Sequence, residues 1–462
     1  MSCAGYVPRY RLDRSQIGAL LGSGGGRGTR SVASYDEDTT TMGFEAARLT
    51  LRAAPGINVD QLLFSTVAPA YTDRTNATAI HAALRLDPSV AAVDLNGSVR
   101  SAAGGLRLAL RSTGATLVVH ADARDGLPTS GDEAAGGDGA AAALIGSAAD
   151  GPLRAEYLGG ASFTHEFVDR WRQPGDVRSK LWEERFGEIK YLEAGAAAWK
   201  AALADAGLSP EDVDVAAVSG LHAKAVRSMG GRLGAKSVAD DRTDTIGNAG
   251  AAQPLLLLCD AIERAQPGQV IALVVLSDGA DVFVFRTTEA VGGSATKRSV
   301  AQQVTGGAAV SYGKFLSWRG RISVEPPRRP EPTRVSSSAA DRNEDWKFGF
   351  VATRDNATGT VEMPPARMSN DGPTGTLTPV PMAEAQGTIA TYTIDRMAYS
   401  PSPPIVFAVV DFDGGGRLPV ELTDVVPAEA AIGGRVEMTF RRLAVADGIS
   451  NYFWKARPVR DG

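Results

Sequence analysis

Apolar residues in the N-terminal part of the chain alternate between a helical period and short continuous runs. Residues 40–67, TTMGFEAARLTLRAAPGINVDQLLFSTV, predict a helix, a glycine stop and a buried strand. Residues 191–220, YLEAGAAAWKAALADAGLSPEDVDVAAVSG, predict the same elements in the same order. Residues 97–126 and 247–281 also match, because each contains a corner, a helix, an apolar strand and an acidic turn. The chain therefore contains an internal duplication.

The apolar runs also predict how the two copies fold. Strands such as ATLVVHAD and VIALVVLSD are continuous in apolar residues, which is typical of sheets covered by helices on both faces. We therefore expect two layered α/β halves, each on a mostly parallel sheet. The first half is predicted at residues 1–150 and the second at residues 151–290.

The pattern changes in the C-terminal third. Residues 291–345 are predicted as a connecting segment and linker, because VEPPRRPEPTRVSSSAADRNED at 324–345 is rich in Pro, Ser and charge. Beyond it, alternating apolar and polar residues with clusters of turn residues predict a small antiparallel barrel. Residues 346–462 are therefore expected to form an all-β domain.

Composition and charge exclude some classes of function. The 462 residues suffice for two or three domains. The net charge is −5 and no Lys- or Arg-rich run is present, so we expect no nucleic-acid partner. The first residues carry charges where a signal peptide needs an apolar core, and no apolar run reaches membrane-spanning length. We therefore expect a cytoplasmic protein with no membrane partner.

One corner has the geometry of a reactive site. Residues 93–110, VDLNGSVRSAAGGLRLAL, predict a strand end, a Gly-Ser corner and a helix. Backbone N–H groups at a helix start lower the pKa of a thiol and stabilise an oxyanion, so such a corner suits a cysteine. The residue at the tip is Val99, and the two cysteines of the chain, Cys3 and Cys259, are predicted to be core residues.

Several segments together carry a resemblance to a known family. They are GYVPRYRLDR, STVAPAYTDRTNATAIHAAL, GGDGAAAALIG, FVDRWRQPGD, WEERFGE and TIGNAGAAQPLLLL. Through them the chain resembles the thiolase superfamily and, within it, the 3-hydroxy-3-methylglutaryl-CoA (HMG-CoA) synthases. DFDGGGRLPVELTD, IGGRVEMTFRR and GISNYFWKARP resemble the OB-fold domain that often accompanies such proteins. The resemblance implies duplicated thiolase-like αβαβα layers followed by an all-β OB-fold barrel.

The resemblance assigns roles position by position. It places the acyl-accepting cysteine of the synthases at Val99, which cannot form a thioester. It places their acid/base glutamate at Asp73 and their catalytic histidine at Ser219, with His222 three residues later. Their conserved asparagine matches Asn248. Asp73 and His222 are therefore candidate bases, and Asn248 is a candidate donor to an oxyanion.

Each candidate also has a structural interpretation. Asp73 either acts as a base or stabilises the loop before a helix that begins near Asn76. Ser98 either replaces the thiol as nucleophile or caps the helix, and capping is simpler because a serine nucleophile needs an adjacent base. His222 either points into a pocket or lies on a short helix. The other histidines are expected to be structural; they are His81, His120 and His165.

A second set of residues could bind the CoA moiety. Arg170 and Arg172, with Trp171 between them, suit bidentate contacts to phosphates and stacking on adenine, or form an ordinary solvated loop. The resemblance favours the CoA interpretation.

The start of the C-terminal domain departs from its relatives. Such domains usually begin with a zinc ribbon of two Cys-x-x-Cys pairs around a Pro-Pro. Here Asp355 and Thr358 occupy the positions of the first pair, and no cysteine follows Pro364 and Pro365. Structural zinc needs four N or S ligands, so we expect no metal.

These expectations combine into one hypothesis with alternatives. We expect an enzyme that makes or breaks a carbon–carbon bond in an acyl-CoA thioester, of synthase or aldolase/retro-aldolase type, with no bound cofactor. One alternative is a non-catalytic acyl-CoA-binding scaffold for a second acyl-CoA enzyme, and another is an acyltransferase that uses Ser98. The resemblance also implies a homodimer.

Overall fold

The first half of the chain is built on a five-stranded mixed sheet. The structure, a computed structural model, describes residues 2–292, 298–369, 372 and 375–460. The elements of this half are β1 (Ser2–Tyr6), β2 (Tyr10–Asp13), α1 (Ser15–Leu21), β3 (Thr29–Val32), α2 (Thr39–Arg52), β4 (Gln61–Ser65), α3 (Ala77–Leu84), β5 (Ala91–Asp94), α4 (Val99–Ala109), β6 (Thr116–Ala123), α5 (Gly131–Ala135) and β7 (Asp138–Ile145). The sheet order is β1-β7-β6-β4-β5.

The second half repeats this arrangement. Its elements are β8 (Ala155–Thr164), β9 (Arg170–Trp171), β10 (Lys180–Leu181), α6 (Glu184–Ala206), β11 (Val215–Gly220), α7 (Ala223–Gly230), α8 (Gln253–Arg264), β12 (Val270–Leu276) and β13 (Gly279–Thr287). The sheet order is β11-β12-β13-β8, and Val238 forms a parallel bridge with Ala216 where the first half has β5. The order α2-β4-α3-α4-β6-β7 therefore recurs as α6-β11-α7-α8-β12-β13, as the duplication predicts.

The expectation of mostly parallel sheets is wrong. β4 pairs in parallel with β5 and β6, but β7 pairs antiparallel with both β1 and β6. In the second half only β11 and β12 are parallel. β12 and β13 are antiparallel because the chain returns directly between them through Ser277 and Asp278, and so short a connection joins only antiparallel strands.

Part of the segment 291–345 packs against the first half. It contains α9 (Val300–Thr305), β14 (Ala308–Ala309), α10 (Tyr312–Trp318), α11 (Ser337–Asp341) and the start of α12 (Glu344–Lys347). β14 pairs in parallel with β2, and Tyr312 and Phe315 share a core with Leu12 and Ile17. Residues 319–336, all of them described, contain no helix or strand.

The C-terminal domain is a closed barrel preceded by a small sheet. The small sheet consists of β15 (Val351–Asp355), β16 (Val361–Glu362) and β17 (Leu377–Pro381). The barrel consists of β18 (Gln386–Asp395), β19 (Ile405–Phe412), β20 (Arg417–Leu422), β21 (Arg435–Ala446) and β22 (Ile449–Pro458), closed in the order β18-β19-β20-β22-β21.

The barrel covers the outer face of α2. Phe44 on this helix lies 5.3 Å from Phe440 and 5.4 Å from Trp454 between ring centroids. Glu45 pairs with Arg457 of the barrel at 3.0 Å. Of the 14 residues of α2, 12 are buried, so the helix is enclosed by the sheet on one side and by the barrel on the other. The barrel and the first half therefore share one core.

The small sheet has a hydrogen bond at positions where the resemblance places the ligands of a zinc ribbon. Asp355 is buried, and both of its carboxylate oxygens lie 3.1 Å from the Ser369 hydroxyl, so the two predicted ligand-bearing turns are linked directly. Among the residues that the structure describes, no three His, Cys, Asp or Glu side chains are grouped to hold a metal ion. None of the described helices is both long and apolar enough to cross a membrane.

Candidate active site

The Gly-Ser corner presents Val99 at the first position of a helix. Ser98 is the N-cap residue of α4, and its N–H donates to Ser101 Oγ at 3.4 Å. Val99 is 3% exposed and packs in the core between the two halves. The N–H groups of Val99 and Arg100, in the first turn, have no intrahelical acceptor, so they are available to an oxyanion. Ser98 therefore occupies the N-cap position.

Asp73 lies in a loop that is tied to the strand before this corner. Asn76 donates to Asp94 Oδ2 from its main-chain N–H and from Nδ2, at 2.8 Å each, and Asp94 ends β5. Asn76 Oδ1 in turn accepts the N–H of Tyr71 at 3.0 Å. Asp73 itself is exposed and has a φ of 36°, a conformation that costs energy in a non-glycine residue and is often found at functional sites.

Asn248 joins the two halves next to the second corner. Its Nδ2 donates to the carbonyl oxygen of Gly220 at 2.8 Å, at the end of β11. Its Oδ1 accepts the N–H of Gly250 at 2.9 Å. Its main-chain N–H donates to Ala135 of the first half at 2.9 Å. One of the two Nδ2 hydrogens is thus engaged in holding β11, and the other can meet a ligand.

His222 is the N-cap residue of α7 rather than a free imidazole. Its Nδ1 accepts the N–H of Ala225 at 3.1 Å, which makes Nε2 the protonated nitrogen, and Nε2 donates to the carbonyl oxygen of Glu184 at 2.8 Å. Both ring nitrogens therefore have structural partners. Ser219, where the synthases have their histidine, is buried, and its hydroxyl has no hydrogen-bond partner among the described residues.

The residues expected to meet CoA lie on the hairpin β9–β10. Arg170 pairs with Asp132 at 2.6 Å, and Arg172 Nη2 donates to the carbonyl oxygen of Val67 at 2.7 Å, just beyond β4. Trp171 lies 6.1 Å from Trp182 between ring centroids, and Trp182 is 60% exposed. The hairpin therefore combines two guanidinium groups with an accessible aromatic surface.

Asp122 and Arg124 are two further polar residues of this region, and the sequence motifs did not single them out. Asp122 is fully buried, and its Oδ2 accepts the N–H of Ala251 at 3.0 Å and lies 3.6 Å from Arg124 Nη1. Burial raises the pKa of Asp122, and the positive charges of Arg124 and Arg172 oppose that rise. Burial and the charge of Arg124 both lower the pKa of Arg170. Their signal in the sequence is the polar run HADARDG directly after a buried strand.

The three guanidinium groups thus form one cluster. We call Arg124, Arg170 and Arg172 the arginine cluster. Its neighbouring carboxylates are Asp122, Asp132 and Asp169, and Asp122 also accepts a main-chain N–H that precedes α8. Guanidinium groups donate in a geometry that suits phosphate oxygens.

Comparison with known proteins relates the two parts of the chain to different groups. The HMG-CoA synthase of Methanopyrus kandleri is 27% identical over 339 residues, which cover 69% of this chain and 95% of the relative. The HMG-CoA synthase of Aeropyrum pernix is 28% identical over 340 residues, which cover 69% of this chain and 93% of that relative. Residues 379–441 match a family model described as the C-terminal OB-fold domain of ChsH2.

Solved structures show the same fold for the α/β part. A crystal structure of an HMG-CoA synthase in complex with CoA has a TM-score of 0.58 at 15% identity and covers 72% of this chain and 94% of its own. The structure of β-ketoacyl-[acyl carrier protein] synthase III of Thermus thermophilus has a TM-score of 0.53 at 22% identity. It covers 64% of this chain and 99% of its own. The predicted resemblance to HMG-CoA synthases, the thiolase-like fold and the C-terminal OB-fold are confirmed.

Proposed function

We propose that the chain acts on acyl-CoA thioesters and makes or breaks a carbon–carbon bond without forming an acyl-enzyme. The observation that carries this proposal is the helix start at Val99, whose N–H groups are available beside the Asp73 loop while the thiol itself is missing. The relatives named HMG-CoA synthase, which match the α/β part almost over their whole length, support acyl-CoA as the substrate class.

The chemistry needs a base and a site for negative charge, and no thiol. In the cleavage direction, the Asp73 carboxylate takes the proton of a β-hydroxyl group on the acyl chain. The O–H electron pair forms the new carbonyl, the carbon–carbon bond breaks, and its electrons move onto the thioester oxygen as an enolate. The N–H groups of Val99 and Arg100 and the Asn248 amide stabilise that oxygen. Protonation of the enolate carbon completes cleavage, and the reverse steps form the bond.

The arginine cluster and the two tryptophans supply the binding energy for CoA. Arg124, Arg170 and Arg172 suit phosphate groups because guanidinium donors bind them in bidentate geometry. Trp171 and Trp182 offer a ring surface for adenine. CoA enters and leaves as part of the substrate in this proposal, so no resident cofactor is needed.

The test is incubation with a panel of β-hydroxyacyl-CoA and acyl-CoA thioesters, followed by mass spectrometry of both products and protein. We expect a cleavage or condensation product and no mass increase of the protein. Asp73→Asn is expected to lower turnover about a hundredfold, within the range of general acid–base catalysis. Asp447→Asn is the matched control, because Asp447 is also exposed and also has a positive φ, of 51°, but lies in the barrel.

The outcomes of this experiment separate the proposal from its alternatives. An acyl adduct on Ser98 supports the acyltransferase instead. CoA binding with neither product nor adduct supports the non-catalytic scaffold for a second acyl-CoA enzyme. One observation favours the scaffold, namely that His222 and Asn248 are both engaged in structural hydrogen bonds.

We further propose that the chain forms a homodimer through β5. Among the described residues, this strand pairs only with β4, so its other edge is open. Val93 on β5 is 44% exposed, and an open apolar strand edge favours pairing with another strand. Light scattering is expected to give a dimer for the parent and a monomer for Val93→Lys, and a monomeric parent contradicts the proposal.

A further inference from the structure

A polar cavity lies where the barrel meets the first half. Its volume is about 120 Å³. It is lined from several segments of the chain, with charged groups supplied by Arg9, Arg298, Asp424, Glu437, Arg457 and Arg460. None of these residues belongs to the corner, the Asp73 loop or the arginine cluster, so this cavity is separate from the candidate active site.

Arg457 brings an unsatisfied donor to this cavity. The residue is 3% exposed, its Nε donates to Glu437 at 2.7 Å, and its Nη2 donates to Glu45 at 3.0 Å. Its Nη1 is buried and has no hydrogen-bond partner among the described residues. A buried donor without an acceptor is destabilising, so an acceptor placed in the cavity is favoured.

The other arginines of the cavity share carboxylates in pairs. Arg298 shares Glu437 with Arg457, at 3.6 Å, and the charge of Arg457 is the main cause that lowers the pKa of Arg298. Arg9 and Arg460 share Glu429 at 4.0 and 3.9 Å. Like charges that share one carboxylate are stabilised by an anion between them.

Asp424 contributes an acceptor that needs a hydrogen-bond donor. Its Oδ2 accepts from Arg441 at 2.7 Å, whereas its Oδ1 is buried and has no partner among the described residues. An anion that carries only acceptor oxygens is repelled by this atom. An anion that keeps one O–H group can donate to Asp424 Oδ1 and accept from Arg457 Nη1, which satisfies both groups.

We propose that this cavity binds inorganic phosphate as hydrogen phosphate and thereby links the barrel to the α/β part. At neutral pH hydrogen phosphate carries one O–H group, whereas sulfate and the dianion of a phosphate monoester carry none. The volume of about 120 Å³ is well above the roughly 10–15 Å³ that one water molecule needs by the same measure, so an ion of several atoms fits. The side chains of Arg298 and Arg460 are 33% and 37% exposed, so the cavity is reached from solvent.

Isothermal titration calorimetry of the full chain near neutral pH tests the proposal. Inorganic phosphate is expected to bind with a stoichiometry of one per chain, and sulfate at least about tenfold more weakly, because sulfate leaves Asp424 Oδ1 facing an acceptor. Arg298→Met is expected to weaken phosphate binding about tenfold by removing one charged donor. Arg417→Met, which breaks a surface pair with Asp411 on the barrel, is the control and leaves binding unchanged.

A second variant tests the acceptor directly. Asn tolerates the φ of 55° at residue 424, so Asp424→Asn preserves the backbone and replaces a charged acceptor with a group that also donates. Sulfate is then expected to bind about as tightly as phosphate. Absence of phosphate binding, equal binding by Arg298→Met, or sulfate binding as tight as phosphate in the parent each overturns the proposal, even if Asp424→Asn does not fold. The readout needs no acyl-CoA turnover.

Discussion

The carboxylate of Asp94 accepts two hydrogen bonds from Asn76, one from its main-chain N–H and one from its side-chain amide, each at 2.8 Å. This pair joins the loop that carries Asp73 to the strand that leads into the corner at Val99. The two parts of the candidate site therefore cannot move independently unless these hydrogen bonds break.

The first prediction follows from that connection. Asn76→Ala removes the side-chain donor to Asp94 and the acceptor for the Tyr71 N–H. We expect a loss of about 1 to 3 kcal/mol in the free energy of unfolding, because partners of the lost amide are left unpaired. We also expect lower acyl-CoA turnover per folded molecule, because Asp73 is no longer held. Urea unfolding and initial rates measure the two effects.

A control on the small sheet separates the two effects. Asn356 Nδ2 donates to Thr376 Oγ1 at 2.8 Å on an exposed surface, so Asn356→Ala removes a comparable bond far from the Asp73 loop. Turnover by this variant is expected to match the parent. If Asn76→Ala loses stability while its turnover also matches the parent, the loop does not position a base.

The second prediction concerns a buried histidine. His120 on β6 lies in register with Ser65 on β4, and a Cβ added to Gly105 would lie 3.4 Å from Ser65 Oγ and 3.6 Å from His120 Nε2. Both ring nitrogens of His120 lack hydrogen-bond partners among the described residues, and burial lowers its pKa to about 3. The native state therefore holds the neutral ring.

The pH dependence follows from proton counting. In the unfolded chain, His120 is protonated below its ordinary pKa of 6.5. In the native state it is protonated only when the pH falls to about 3. This group therefore lowers stability as the pH falls through that window, by up to about 1.4 kcal/mol per pH unit. In chemical unfolding at several pH values, His120→Met should lose this contribution, whereas His81→Gln should retain it. Parallel curves for the parent and His120→Met contradict the prediction.

The sequence predicted the elements better than their contacts. The helical and strand periods around the corner and the duplication are local patterns, so they identified α2, β4, α4 and β6 and their counterparts. Sheet direction was wrong because it depends on which strands neighbour each other. Glu45 of α2 is buried, and no local pattern predicts this, because its partner Arg457 comes 412 residues later.

In the candidate site, too, the sequence predicted local features but not the long-range contacts. The corner and the N-cap position of Ser98 follow from a few adjacent residues. In contrast, the bonds from His222 to Glu184 and from Asn248 to Gly220 span 38 and 28 residues, and only the fold brings these groups together. A sequence pattern can therefore identify a candidate imidazole or amide, but it does not show whether that group already forms hydrogen bonds within the protein.

The third prediction concerns the degenerate zinc ribbon. Asp355 and Ser369 are already hydrogen-bonded to each other at the place where a ribbon would coordinate metal. We expect elemental analysis to find no stoichiometric zinc, and a chelator to leave the unfolding temperature unchanged. One zinc per chain, or a lower unfolding temperature after chelation, contradicts this prediction.

The last prediction compares the two corners. Val99 fills buried space, so Val99→Ala should cost about 1 to 3 kcal/mol through lost transfer energy and a cavity, while acyl-CoA binding persists. Asn248→Ala should also lose stability, because Gly220 and Gly250 lose their partner, but its turnover should fall about a hundredfold as well, as expected for a lost oxyanion donor. Thermal unfolding and initial rates distinguish the two variants. If Asn248→Ala, His222→Ala and Asp73→Asn all retain the turnover of the parent, the corner is not a catalytic site, and the scaffold function replaces the one proposed here.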